Sequence, residues 1–111
     1  MTLYFNEQYA NKLITSDKNQ TVKLAKALLT QARQRKKLAQ TVLEGAHLID
    51  AALRRDYPFA HILVAESAST HPEVQQILSR LTTDMSVLTL SDALYKSIRS
   101  LGSGVDIMAI I

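Results

Sequence analysis

Apolar residues along this chain recur in two rhythms, and the rhythms divide it into alternating helices and strands. Val22, Ala25, Leu28, Leu29 and Ala32 return every three or four positions, so at about 100° per residue they form one apolar stripe. Asn19, Lys23, Lys26, Thr30 and Arg33 fall on the opposite side, which predicts an amphipathic helix with a cationic wet face. Thr15-Ser16-Asp17 precede it and supply capping side chains. Continued past Gln34, the same helix would push Arg35 and Lys36 toward the apolar stripe. The helix is therefore predicted to end near Gln34, leaving Arg35-Lys36-Lys37 in a basic loop.

Beyond that loop the rhythm shortens. Thr41-Val42-Leu43 reads as a short strand and Glu44-Gly45 as the turn after it. Ala46, Ile49, Ala52 and Leu53 mark a second helix running to about Tyr57, where Pro58 ends it. His61-Ile62-Leu63-Val64-Ala65 is a continuous aliphatic run of the kind buried on both faces of a sheet. Ser69, Thr70 and Pro72 open a third helix, with Val74, Ile77, Leu78 and Leu81 as its core face. Val87 to Leu90 is another strand. Ser91-Asp92 caps a fourth helix with Leu94, Ile98 and Leu101 at buried spacing. Gly102-Ser103-Gly104 is a turn, and Ile107 to Ile111 a final strand. Helices and strands joined by short connections predict a three-layer α/β/α sandwich of about four strands. Periodicity leaves the direction of each strand open. The apolar ending Met108-Ala109-Ile110-Ile111 carries the expectation that the native chain continues beyond it.

Composition narrows what this sandwich can do. At 111 residues it is read as one domain, 1–111, with 47% hydrophobic residues and only three Gly and two Pro. The absence of Cys removes disulfides, thiolate nucleophiles and cysteine-ligated zinc, and it fits a reducing compartment. No apolar run approaches the roughly 20 residues that cross a bilayer, so no membrane partner is expected. No basic-then-apolar signal pattern opens the chain, and the location expected is cytoplasmic.

Charge changes the picture most. Residues 1–60 carry ten Lys and Arg against five Asp and Glu, whereas residues 61–111 carry three against five. Eight of the thirteen basic residues lie between Lys12 and Lys37. A basic front and a mildly acidic back suggest a surface for a polyanion, with RNA or DNA the first candidates. The net charge of +3 suits a limited number of phosphate contacts.

The order of features resembles one family. Ile14-Thr15-Ser16-Asp17-Lys18-Asn19, Val22-Lys23, Arg35-Lys36-Lys37 and Leu43-Glu44-Gly45 resemble the N-terminal substrate-binding domain of SpoU/TrmH-type RNA 2′-O-ribose methyltransferases. Ile62-Leu63-Val64, Val87 to Asp92 and Ile107 to Ile111 follow in the same order and spacing. Gln20, Ala39 and Thr41 stand where the family often has Pro, Gly and an aromatic, and Gly104-Val105-Asp106 replaces a Pro-Gln-Gly-like turn. The resemblance implies a fold like that of kink-turn-binding ribosomal proteins. It also implies a C-terminal knotted domain that binds S-adenosylmethionine, methylates a ribose 2′-hydroxyl and makes the full-length enzyme a homodimer. On this reading the present segment needs no cofactor, is inactive alone and can be monomeric. Its partner is RNA, ribosomal RNA ahead of tRNA. The alternatives are a stand-alone ribosomal-type RNA-binding protein and a protein-interaction module whose basic helix meets an acidic partner.

The candidate RNA-binding residues are Ser16, Asn19, Lys23, Lys26, Arg33, Arg35, Lys36, Lys37 and Glu44. Between Asp17 and Glu44 no acidic residue dilutes the cations, whereas an ordinary surface helix mixes both signs. Ser16 and Asn19 suit helix capping as well as contact with sugar or base edges. Glu44 suits accepting from the RNA, orienting a neighbouring basic side chain, or complementing the start of the following helix, with Gly45 permitting a tight turn. His47, His61 and His71 lack metal-ligand spacing, and no nucleophile elbow or ordered triad is visible. Gly102-Ser103-Gly104 is too short for a phosphate-binding loop. Tyr4, Phe5 and Tyr9 form an aromatic cluster suited to packing on the sheet before stacking on bases.

Overall fold

A strand that is aliphatic at every position must bury both of its faces, and that demand organises the molecule. The computed structural model describes residues 13–100, 102 and 104–111. The aromatic cluster Tyr4, Phe5 and Tyr9, and the expected core position Leu101, lie outside the described residues. Strands β1 (Leu13–Ile14), β2 (Val42–Glu44), β3 (His61–Ala65), β4 (Val87–Leu90) and β5 (Ile107–Ile110) form one sheet in the order β1-β4-β3-β5-β2. The α-helices are α1 (Gln20–Thr30), α2 (Ala32–Leu38), α3 (Ala46–Arg54), α4 (Pro72–Ser79) and α5 (Asp92–Ile98).

Alternation along the central strands sorts their side chains between two cores. Ile62 and Val64 of β3, with Ile107 and Ala109 of β5, pack against Ala46 and Ile49 of α3 and Val74, Ile77 and Leu78 of α4. Leu63, Ala65, Met108 and Ile110 turn the other way, onto Val22, Ala25 and Leu28 of α1 and Leu94, Tyr95 and Ile98 of α5. Each fully buried aliphatic side chain stabilises the fold by about 1.5–3 kcal/mol, so both layers are held by the same two strands. The expected α/β/α sandwich is what forms.

The sheet has five strands instead of four. The additional one, β1, is two residues long and runs parallel to β4, Leu13 beside Thr89 and Ile14 beside Leu90. Two residues are too few to show a period. The sheet is also mixed. β4 runs parallel to β3, while β5 is antiparallel to both β3 and β2.

The basic segment departs from expectation. Arg35, Lys36 and Lys37 are helical, in the last turn of α2, where cations complement the carbonyl end of the helix dipole. The steric conflict at Gln34 is resolved by a break at Gln31, whose extended backbone (φ −129°, ψ 105°) ends α1 and starts a helix on a new axis. Ala32, expected on the apolar stripe, is consequently exposed. α3 stops at Arg54, short of Tyr57, because Asp56 turns left-handed (φ 54°) and Tyr57 N–H donates back to Ala52 O at 3.0 Å.

Two outcomes follow from these local conformations. Ala39 ends α2 in the left-handed region at φ 53°, a conformation costly for a residue with a Cβ. Ala39→Gly is expected to raise stability by about 1 kcal/mol in denaturant unfolding. His61 lies half-buried with Nδ1 2.7 Å from Ser86 Oγ, and burial holds its imidazole below the usual 6.5. A base whose native pKa is depressed binds fewer protons folded than unfolded, so its stabilising contribution is present above about pH 6.5 and is lost as pH falls below it. The unfolding midpoint should drop from about pH 7 to about pH 5, and His61→Gln should remove part of that drop.

Candidate nucleic-acid interface

The interface begins with a cap. Asn19 Oδ1 accepts from Thr21 N at 2.9 Å and Val22 N at 3.1 Å, satisfying two of the free N–H groups that open α1. Ser16 does not cap the helix. Its Oγ accepts from Lys18 N at 3.1 Å, and its carbonyl accepts from Asn19 N, so it shapes the turn that delivers Asn19 to the cap position. With its start fixed and Val22, Ala25 and Leu28 buried, α1 presents Lys23 and Lys26 to solvent.

α2 extends the cationic surface. Arg33, Lys36 and Lys37 are exposed, and the spacing of three and four places Arg33 beside both lysines on one side of the helix. Arg35 is half-buried and turns back across the break, its Nη1 donating to Leu28 O at 2.7 Å. Glu44 lies at the end of β2, away from this run in sequence. Its carboxylate accepts from the backbone N–H of Ser100 at 3.0 Å and from the Ser100 hydroxyl, fastening β2 to the residue just past α5. The start of α3 takes no side-chain cap, and Gly45 before it turns through φ 97°, a left-handed angle that suits glycine.

Ion pairing sorts the cations. Among the described residues the salt bridges join Arg54 to Asp50 (2.9 Å), Arg80 to Asp50 (2.6 Å) and Arg99 to Asp106 (2.9 Å). None uses a cation of α1 or α2. Asp50 is held below the ordinary carboxylate range by its Arg80 bond first, against the effect of burial, with the Arg54 charge adding to the lowering. Asp92 is lowered by the Ser67 N–H that reaches its Oδ1 at 3.0 Å. Burial pushes the Tyr95 phenol well up, reinforced by the Asp106 and Glu44 carboxylates, so it stays neutral. The Arg99–Asp106 pair and the Arg35 brace left no mark on the periodicity, because each joins positions that no local pattern relates.

A groove of about 300 Å³ between α3 and α4 is lined mainly by the polar His47, Asp50, Arg54, Glu73, Gln76 and Arg80, with only Ala46 and Ile77 apolar. Its arginines and carboxylates balance, and it belongs to the layer across the sheet from α1. This lining does not fit S-adenosylmethionine, whose adenine needs an apolar slot, so no step of a methyl transfer is assigned to it. Among the described residues no group of three or more His, Asp or Glu could hold a metal ion. No helix among them is long and apolar enough to cross a membrane.

Comparison with known proteins agrees with this architecture. The chain is similar to a solved RNA 2′-O ribose methyltransferase at 28% identity and a TM-score of 0.74, over 88% of this chain and 36% of that one. The rRNA methyltransferase from Sinorhizobium meliloti gives 23% identity and a TM-score of 0.69, over 89% and 36% of the two chains. The SpoU methyltransferase AviRb from Streptomyces viridochromogenes shares the fold at 14% identity and a TM-score of 0.71, over 84% and 35%. The chain thus spans about a third of the length of each of these structures. No match is found among curated proteins. Residues 19–109, from the α1 cap to the middle of β5, match the family model of the MRM3-like substrate binding domain, and the chain belongs to that family.

Proposed function

We propose that this chain is the RNA-holding domain of an S-adenosylmethionine-dependent 2′-O-ribose methyltransferase, with ribosomal RNA as its substrate ahead of tRNA. The observation that carries the reading is the concentration of exposed, unpaired cations on α1 and α2. Lys23, Lys26, Arg33, Lys36 and Lys37 are exposed and outside every ion pair among the described residues, whereas Arg54, Arg80 and Arg99 are paired. Family membership as a substrate-binding domain and likeness to RNA 2′-O ribose methyltransferases support RNA as the polyanion.

The mechanism assigned to this domain is positioning. Lysine offers a point charge to a phosphate, and arginine can bridge two phosphate oxygens. Held along the backbone, the RNA presents a ribose to a separate catalytic unit of the same enzyme, which supplies S-adenosylmethionine and the dimer contact. Binding free energy is thereby converted into orientation at the reacting hydroxyl. Asn19 and Ser16 sit where the RNA would pass the start of α1. In the segment alone no methyl transfer is expected.

Salt titration of RNA binding tests this reading. Replacing counterions at each phosphate makes log affinity fall with log salt by about 0.7 per contact for single strands and about 0.9 for duplex. Lys23→Ala, Lys26→Ala and Arg33→Ala should each make the slope shallower by about that amount. Arg54→Ala, whose charge is held by Asp50 in the other layer, should leave the slope unchanged. If the three α1 and α2 variants keep the original slope, the interface lies elsewhere.

A further inference from the structure

α2 is a helix that its own sequence does not hold in place. It has seven residues, none of them buried, and four are Arg or Lys with no carboxylate among them. Arg33 repels Lys36 and Lys37 one turn away, and so short a helix is marginal in water. Its start has no side-chain cap, and the extended Gln31 separates it from α1.

One side-chain hydrogen bond among the described residues spans that break. Arg35 Nη1 donates to Leu28 O at 2.7 Å. Leu28 O is among the last four carbonyls of α1, which a helix leaves without an N–H partner. Leu28 itself is seated in the core at 1% exposure, so the brace is fastened to the rigid part of α1. The backbone carbonyl of Arg35 also accepts from Ala39 N–H and from Gln40 N–H at 3.2 Å, so its backbone closes the end of α2 while its side chain ties that helix to α1. Arg33, Lys36 and Lys37, by contrast, project into solvent.

We propose that Arg35 is a positioning residue, which locks α2 at a preset angle to α1 so that the cations of the two helices meet one RNA backbone as a single cradle, and which neutralises no phosphate itself. The inference rests on the RNA reading above and adds a role distinct from that of its neighbours. A charge-assisted bond to a partly buried carbonyl is worth more than a solvated surface charge, so the guanidinium stays on Leu28 O when RNA is present.

Hydrogen exchange and salt titration on the full chain test it together. Arg35→Met keeps the aliphatic stem and helix propensity but removes the donor; Arg35→Ala serves as a second variant. In either, backbone amides 32–38 should exchange about tenfold faster than in the unaltered chain, with α1 amides unchanged. RNA affinity should fall about tenfold at every salt concentration while the log–log slope stays parallel to that of the unaltered chain, unlike Arg33→Ala. A shallower slope would mean that Arg35 grips a phosphate, and it overturns the proposal. Unchanged exchange or unchanged affinity overturns it as well. If the unaltered chain binds no RNA, it is the RNA reading that fails, and the exchange measurement still decides whether Arg35 holds α2.

Discussion

Burial of β3 and β5 on both faces is the constraint on which everything else hangs. Ile62 to Ala65 and Ile107 to Ile110 are each buried at every position. Neither strand can satisfy its side chains against one layer, so helices must cover both sides of the sheet. α1 is one of these covers, and its orientation is dictated by Val22, Ala25 and Leu28 facing Leu63, Met108 and Ile110. Once that face is committed to the core, Lys23 and Lys26 have only water to point into. The cationic surface is thus a by-product of where the aliphatic strands need a lid.

Electrostatics then separates two populations of basic side chains. Arg54 and Arg80 beside the α3 and α4 groove and Arg99 near β5 are spent on Asp50 and Asp106, with exposures that make each pair a modest contributor to stability. Those of α1 and α2 have no such partner among the described residues. A run of cations without local counter-charge raises the local potential and costs self-repulsion, which a polyanion relieves. Arg35 belongs to neither population, since a backbone carbonyl occupies its guanidinium.

Much of this architecture was legible in the chain, for identifiable reasons. The aliphatic runs at 61–65 and 107–110 are long enough to declare a doubly buried strand, and the spacing of Val74, Ile77 and Leu78 leaves no choice but a helix. β1 was invisible because its pairing with Thr89 and Leu90 is a tertiary event involving two residues. The apolar stripe placed the end of the first helix near Gln34, past its actual end at Thr30. It could not show that the chain would kink at Gln31 and resume as a helix with nothing to bury, since α2 owes its form to a bond from Arg35 to a residue seven positions earlier. Within the candidate interface, the exposed cations followed from helical spacing alone. The hold of Glu44 on Ser100 did not, because fifty-six positions separate the two.

The placement of β5 has a temporal consequence. It lies between β3 and β2, yet it is made after both, and Val42 finds its neighbour only at Ile110. While the chain is leaving the ribosome, β2 waits without a strand beside it and β3 carries an open side next to its pairing with β4. Translation proceeds at about 5–20 residues per second, so the interval between emergence of β2 and of β5 lasts several seconds. Throughout that interval the nascent sheet keeps unpaired edges open, and only synthesis of β5 lets it close.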